Sequence, residues 1–340
     1  MKNHKIETTE GQWSVLAGLR FFLAAVVVCG HFVLMVRPDN HHVFGDGYLN
    51  PLSAVYGFFI LSGYSIAASL DRENSGFYRR RFIRIWPLYL AVIAFGLAAY
   101  LLSPTGFTWP VEDQHVPTAS GLQIIASLLM LQTIISSPIP TIGPIWSLAG
   151  EWWHYMVAPL LKRFSNGVLL GWMAISFAFF ISLHDAGPGV ACMDRFTLGK
   201  AVLGLSWVWV TGFVYYRMRG TAVGFAVLVA PSLFALTIGH SPGVPMFITA
   251  FALILCEGRN LGERTIAALN FLGDWSYPLY LFHIPAFLIA LTLGSNRSII
   301  TLGAAFGTSL AALYMVDYPS RKLFKRRKSN AAVAASVESA

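Results

Sequence analysis

Charge is scarce in this sequence. Of its 340 residues, 12% are Asp, Glu, Lys or Arg, about half of the share with which a soluble domain keeps its surface wetted. Most of the chain must therefore face lipid or pack against itself. Cysteine is scarcer still: Cys29, Cys192 and Cys256 stand far apart in different segments, which excludes a disulfide framework and a cysteine metal site. There is no Gly-x-Gly-x-x-Gly loop, no Walker-type loop and no Gly-x-Ser-x-Gly elbow, so nothing points to a dinucleotide fold, a P-loop or a serine hydrolase. What is present instead is apolar: 56% hydrophobic and 14% aromatic residues, with a mean hydropathy of +0.60. The formal net charge is +8, but the basic residues sit in short clusters between apolar runs. Cytoplasmic membrane loops are built that way, so nucleic acid is not an expected partner and membrane lipid is.

Apolar segments fall at 14–36, 51–69, 86–102, 120–136, 146–161, 167–183, 200–216, 222–239, 244–256, 277–294 and 299–316. Backbone groups in lipid must be satisfied within their own segment, which makes these helices and the fold all-α. The basic clusters indicate which segments cross. Arg79, Arg80, Arg81 and Arg84, then Lys162 with Arg163, Arg217 with Arg219, Arg259 with Arg264, and the run 325–328 all fall inside if one segment between residues 86 and 161 does not cross. The weakest is 120–136, which carries Gln123 and Gln132 and ends in Ser137-Pro138-Ile139-Pro140. The expectation is a polytopic membrane protein of about ten transmembrane helices, with 120–136 re-entrant or interfacial and both termini cytoplasmic. Residues 1–13 form a polar cytoplasmic start, 14–321 the membrane domain, and 322–340 a basic and then disordered tail.

Polar residues inside apolar runs cost about 2.5–3.5 kcal/mol each when charged, so they tend to face a cavity or a partner. Arg20 and His31 lie on the first helix, 11 residues apart, which turns the helix some 20° past three full turns and rises roughly 16 Å. Both side chains share one flank. They fit an anionic ligand that enters from inside and reaches the imidazole with its reactive end. They also fit an arginine snorkelling to the interface and a histidine bonded to a neighbouring helix.

Arg79 to Pro87 places four guanidiniums, forked donors suited to phosphate, at the start of the third helix; a positive-inside anchor has the same composition. Glu151 lies inside its apolar run. With His154 it has the Glu-x-x-His spacing of di-iron bundles, but no second such pair exists, and no metal is expected. His41, His42 and Asp46 likewise lack a matching cluster. Tyr277, Tyr280 and His283 recur at i, i+3 and i+6 and read first as a hydrogen-bonded structural stripe. Asp317 to Arg321 reads as an interfacial ion-pair anchor.

The order of these pieces resembles the integral-membrane acyltransferase family 3: Arg20 and His31, then Phe58-Phe59-Ile60-Leu61-Ser62-Gly63-Tyr64, Arg81 to Pro87, Trp146-Ser147-Leu148 with Glu151, Tyr277 to His283, and a closing Asp317-Tyr318-Pro319-Ser320-Arg321. The similarity extends to about residue 321. It implies a ten-helix enzyme of a bacterial inner membrane that moves an acyl group, commonly acetyl, from cytoplasmic acetyl-CoA to a hydroxyl of a saccharide or glycolipid, or in some relatives of a macrolide. Asp317 stands where Glu is more usual, so no catalytic role is carried onto it. The chain is too short for the esterase-like domain of some relatives, which implies direct transfer or a separate partner.

The roles that follow from the resemblance are these. His31 is the base for the acceptor hydroxyl or a transient acyl carrier, and Arg20 positions the donor or polarises its thioester. Arg80, Arg81 and Arg84 hold the CoA phosphates. Glu151 orients His31 or contacts the sugar, and Tyr277, Tyr280, His283, Trp146 and Ser147 line the substrate path. The competing class is a secondary transporter or flippase, which also buries charge at mid-depth but shows two related halves; no such symmetry is visible here.

Overall fold

The computed structural model describes residues 8–37, 43–44, 47–111, 113–184, 198–237, 243–294 and 298–324. His41, His42, Asp46, Cys192, the basic run 325–328 and the tail beyond it lie outside the described residues.

The first helix, α1 (Glu10–Met35), begins ahead of its apolar run because Thr9 caps it: the threonine hydroxyl accepts from Gln12 N at 3.1 Å and satisfies one of the free amides of the first turn. The same hydroxyl donates to the Arg259 carbonyl at 2.6 Å. Helix α2 (Pro51–Arg72) is capped by Asn50, which accepts from Ser53 N at 2.7 Å, with Pro51 opening the helix. Then come α3 (Phe77–Ala98), α4 (Gly121–Leu128), α5 (Ile145–Leu161), α6 (Asn166–His184), α7 (Lys200–Gly204), α8 (Ser206–Met218), α9 (Ala222–Ala235), α10 (Val244–Leu255), α11 (Glu263–Thr292) and α12 (Ser298–Ala312), the last continued by a π-helical turn, Leu313–Asp317.

Five helical stretches are long and apolar enough to cross a membrane: Glu10–Met35, Pro51–Arg72, Phe77–Leu101, Glu263–Thr292 and Ser298–Phe324. Asn166–Ser182, Ala222–Ala235 and Val244–Leu255 are shorter apolar helices. Several sequence boundaries move. The segment expected from 277 starts at Glu263, because its polar first half, with Asn270 and Asp274, continues the same helix along α1. The segment 200–216 is broken at Leu205 into α7 and α8. In 120–136 only the 8 residues Gly121–Leu128 are helical, about 12 Å of rise and too short to cross. The chain is mostly helical as the all-α reading expects, with one short antiparallel pair, Phe107–Thr108 with His115–Val116. That stretch lies between α3 and α4, where residues 103–119 carry too little apolar length for a helix.

The middle of the bundle is α2 and α11, with 78% and 72% of their spanning windows buried, whereas α12 at 28% is peripheral. Helix α1 packs between them, α8 and α10 close the other side of α2, and α12 leans on α11. Helices α2 and α8 meet backbone to backbone. A Cβ on Gly63 would run into the Trp209 carbonyl, and one on Gly212 into the Ile60 carbonyl. Small residues let membrane helices approach in this way.

Replacing Gly212 with Val should therefore force α8 off α2 and destabilise the bundle by about 1–3 kcal/mol. Gly171→Ala, at a position with nothing within 4 Å of the added carbon, should be neutral. Thermal aggregation of the detergent-solubilised variants compares the two directly.

Candidate functional site

A cavity of about 910 Å³, counted with the solvent at its mouth, is walled by α1, α2, α3, α5 and α11. Arg20 comes from α1. Ser62 and Ser65 come from α2, Arg81 and Arg84 from α3, Ser147, Glu151 and Tyr155 from α5, and Ser276, Tyr277 and Tyr280 from α11. The helical period explains each set. Arg81 and Arg84 are i, i+3, while Ser147, Glu151 and Tyr155 are spaced by four. Three guanidiniums against one carboxylate leave the lining with a positive excess.

Hydroxyls hold the charges in place. Arg20 Nη2 donates to Ser65 Oγ at 3.0 Å and Arg81 Nη2 to Ser69 Oγ at 3.4 Å. The Arg81 guanidinium also lies 5.7 Å over the Phe77 ring, and its buried Nε has no hydrogen-bond partner. Tyr155 donates its hydroxyl proton to Glu151, Ser62 Oγ donates to the Tyr155 oxygen at 3.2 Å, and Trp209 Nε1 donates to Ser62 Oγ at 3.2 Å. Tyr280 and Ser147 share a 2.7 Å hydrogen bond, and both reach the Pro144 carbonyl, at 3.0 and 3.2 Å. Tyr277 donates to the Ile85 carbonyl at 3.2 Å.

His31 and His283 do not line this cavity. They pair with each other, His31 Nδ1 to His283 Nε2 at 2.8 Å. The Tyr280 ring, on the cavity wall, lies 6.2 Å from the His283 ring. Arg20 and His31 thus share a flank of α1, but only Arg20 reaches the cavity. Arg80 is elsewhere, bonded to the Glu73 carboxylate at 3.2 Å and to the Glu73 and Ser75 carbonyls. Trp146 is buried outside the lining. His154 turns away from Glu151: its ring nitrogens meet the Gly150 carbonyl at 2.6 Å and Ser206 Oγ at 2.8 Å, so the Glu-x-x-His spacing brings no shared ligand set. Sequence reasoning missed the serine face of α2. Ser62, Ser65 and Ser69, at i, i+3 and i+7 in an apolar helix, were its signal.

A family model described as an acyltransferase domain matches residues 14–317. The acyltransferase MdmB of Streptomyces mycarofaciens is 30% identical over 313 residues, covering 79% of this chain and 77% of that protein. Protein 2 in the picA locus of Rhizobium radiobacter is 27% identical over 135 residues, 35% of this chain and 70% of that protein. No solved structure matches.

The closing Asp317–Arg321 pair is an internal clasp. Arg321 bridges Asp317 at 2.5 Å and Asp274 of α11 at 2.6 Å. Asp317 is 2% exposed and Asp274 39%. Arg321→Met strands a buried carboxylate and should cost about 3 kcal/mol, whereas Asp274→Asn removes a half-exposed partner and should cost about 1 kcal/mol or less. Chemical denaturation in detergent should rank them in that order.

Proposed function

The chain belongs to the membrane acyltransferase family defined by that domain, and on this premise we propose that it moves an acyl group, acetyl first among them, from a cytoplasmic acyl-CoA to a hydroxyl of a saccharide such as an exopolysaccharide or an O-antigen. The observation that carries the reading is the single cavity in which Arg20, Arg81 and Arg84 face one carboxylate, Glu151, amid serine and tyrosine hydroxyls. Acyl-CoA has its negative charges at the nucleotide end and a neutral arm at the thioester. Arginine forks match the phosphates, and the remainder, where hydroxyls mix with Val55, Phe58, Phe59, Ile66, Ile85 and Leu148, suits the arm.

In this reading Arg81 and Arg84 hold the phosphates, and Arg20 steadies the donor or polarises its carbonyl. Glu151, oriented by Tyr155, offsets the arginines and contacts the acceptor, while the orienting of His31 falls to His283, its hydrogen-bond partner. Tyr277, Tyr280 and Ser147 line the path. Arg80 drops out of the phosphate set because its guanidinium is spent on the 73–75 turn. His31 takes the hydroxyl proton while the acceptor oxygen bonds to the thioester carbon. The C–S bond then breaks and the CoA sulfur leaves with the proton. The remaining helices complete about ten spans in a bacterial inner membrane with both termini cytoplasmic, which puts the arginines on the side where acyl-CoA is made.

Proteoliposomes given radiolabelled acetyl-CoA and either a glycan or a macrolide acceptor should put label on a hydroxyl, and His31→Ala should abolish it. Arg84→Gln should raise KM for acyl-CoA about tenfold or more while leaving KM for the acceptor unchanged. Transport of unlabelled glycan without acylation would favour a flippase instead.

A further inference from the structure

His283 is wholly buried in α11, and its Nδ1 lies 3.3 Å from the Leu279 carbonyl one turn back. A carbonyl can only accept, so this nitrogen carries the hydrogen. In a neutral imidazole the other nitrogen, Nε2, is then a bare acceptor. His31 Nδ1 sits 2.8 Å from it and has to donate. The two rings are 6° from coplanar with centroids 5.1 Å apart, the geometry of an in-plane bond between facing nitrogens. The hydrogen of neutral His31 is thereby committed to Nδ1, and its Nε2, which no hydrogen bond among the described residues occupies, is left as the acceptor nitrogen. His31 is the less buried residue of the two.

Around the pair stand Phe287, its ring 5.9 Å from that of His283, and Tyr280. Among the described residues, the hydrogen bonds of both rings involve an imidazole or a carbonyl and no carboxylate. We propose that His283 is a positioning residue of the acyl-transfer reaction, which locks His31 in the tautomer whose Nε2 is the base. The proposal rests on the reading of His31 as base given above. The acceptor hydroxyl proton moves to His31 Nε2, the freed oxygen forms the new C–O bond, and the departing CoA sulfur takes that proton back. His31 Nδ1–H stays bonded to His283 throughout, so neither ring has to turn between steps.

The tautomer can be read without any substrate. Nitrogen-15 NMR of histidine-labelled protein in nanodiscs, with the His31 signals identified by their loss in His31→Gln, should show hydrogen on Nδ1 and none on Nε2. His283→Phe keeps the ring volume and removes the acceptor, and should shift the hydrogen to Nε2. His283→Gln offers a carboxamide oxygen in its place and should restore the Nδ1–H form. In acyl transfer the Phe variant should lose about 100-fold in kcat with KM for acyl-CoA unchanged, and the Gln variant should stay within about tenfold of wild type. Hydrogen on His31 Nε2 in the wild type, full kcat in the Phe variant, or equal losses in both variants would overturn the role of His283. A wild type that acylates no acceptor would sink the functional reading instead, and the NMR result would still decide whether the lock exists.

Discussion

Three guanidiniums around one cavity inside an apolar bundle are the constraint to which the rest of the structure answers. An arginine at the middle of a span costs about 2.5–3.5 kcal/mol on insertion scales, and arginines that share a cavity repel one another as well. The offset comes from hydroxyls and one acid. Ser65 and Ser69 take a hydrogen bond from Arg20 and Arg81. Glu151 is held by Tyr155, which is held by Ser62, which receives a hydrogen bond from Trp209. The acid that balances the arginines is therefore aimed by a chain of bonds from α8 across α2 to α5. The close approach of α2 and α8 at Gly63 and Gly212 is what lets that chain reach. One carboxylate cannot neutralise three cations, and the remaining excess is what an anionic ligand would find.

The second dependency is the register of α1 against α11. Helix α1 carries Arg20 and His31, and α11 carries Tyr277, Tyr280 and His283, so one helix pair sets both the cavity wall and the imidazole pair. The fit is tight at Gly273, where a Cβ would come within 2.9 Å of the Ala17 Cα. Sliding either helix by one residue would rotate its side chains by about 100° and would part the rings and uncover the wall together. The polar first half of α11, with Asp274 clasped by Arg321, lengthens the contact that fixes this register.

Much of the site could be read from the sequence because charge in an apolar run is conspicuous. Arg20 and Glu151 stand out on that ground, Arg81 and Arg84 as part of a basic cluster, and all four line the cavity. What could not be read was rotation. Arg80 and Arg81 are neighbours in one basic run, and only the packed helix shows that one reaches the cavity while the other folds back onto the 73–75 turn. Glu151 and His154 share a spacing but not a direction, since Ser206 claims the histidine. Serine is common in membrane helices as a small packing residue, so the α2 serine face carried little weight until the arginines were placed beside it. Hydropathy also misjudged helix ends and continuity. The polar start of α11 and the break at Leu205 are tolerated because they are packed against protein rather than lipid, which a hydropathy window does not see.

The cavity and the histidine pair meet at Tyr280. Its hydroxyl bonds Ser147 on the cavity wall, and its ring neighbours His283. The arginines line the cavity and the two imidazoles lie outside its lining, so charge is concentrated on the cavity side of this tyrosine. An acyl-CoA is polarised in the same sense, charged at the nucleotide and neutral at the thioester. On the acyl-transfer reading the donor can therefore be seated in one direction only, phosphates among the arginines and thioester toward Tyr280 and Ser147. The acceptor hydroxyl has to reach His31 to lose its proton, and His31 stands beyond that tyrosine. On that reading the donor comes to the tyrosine from the arginine side and the acceptor from the histidine side.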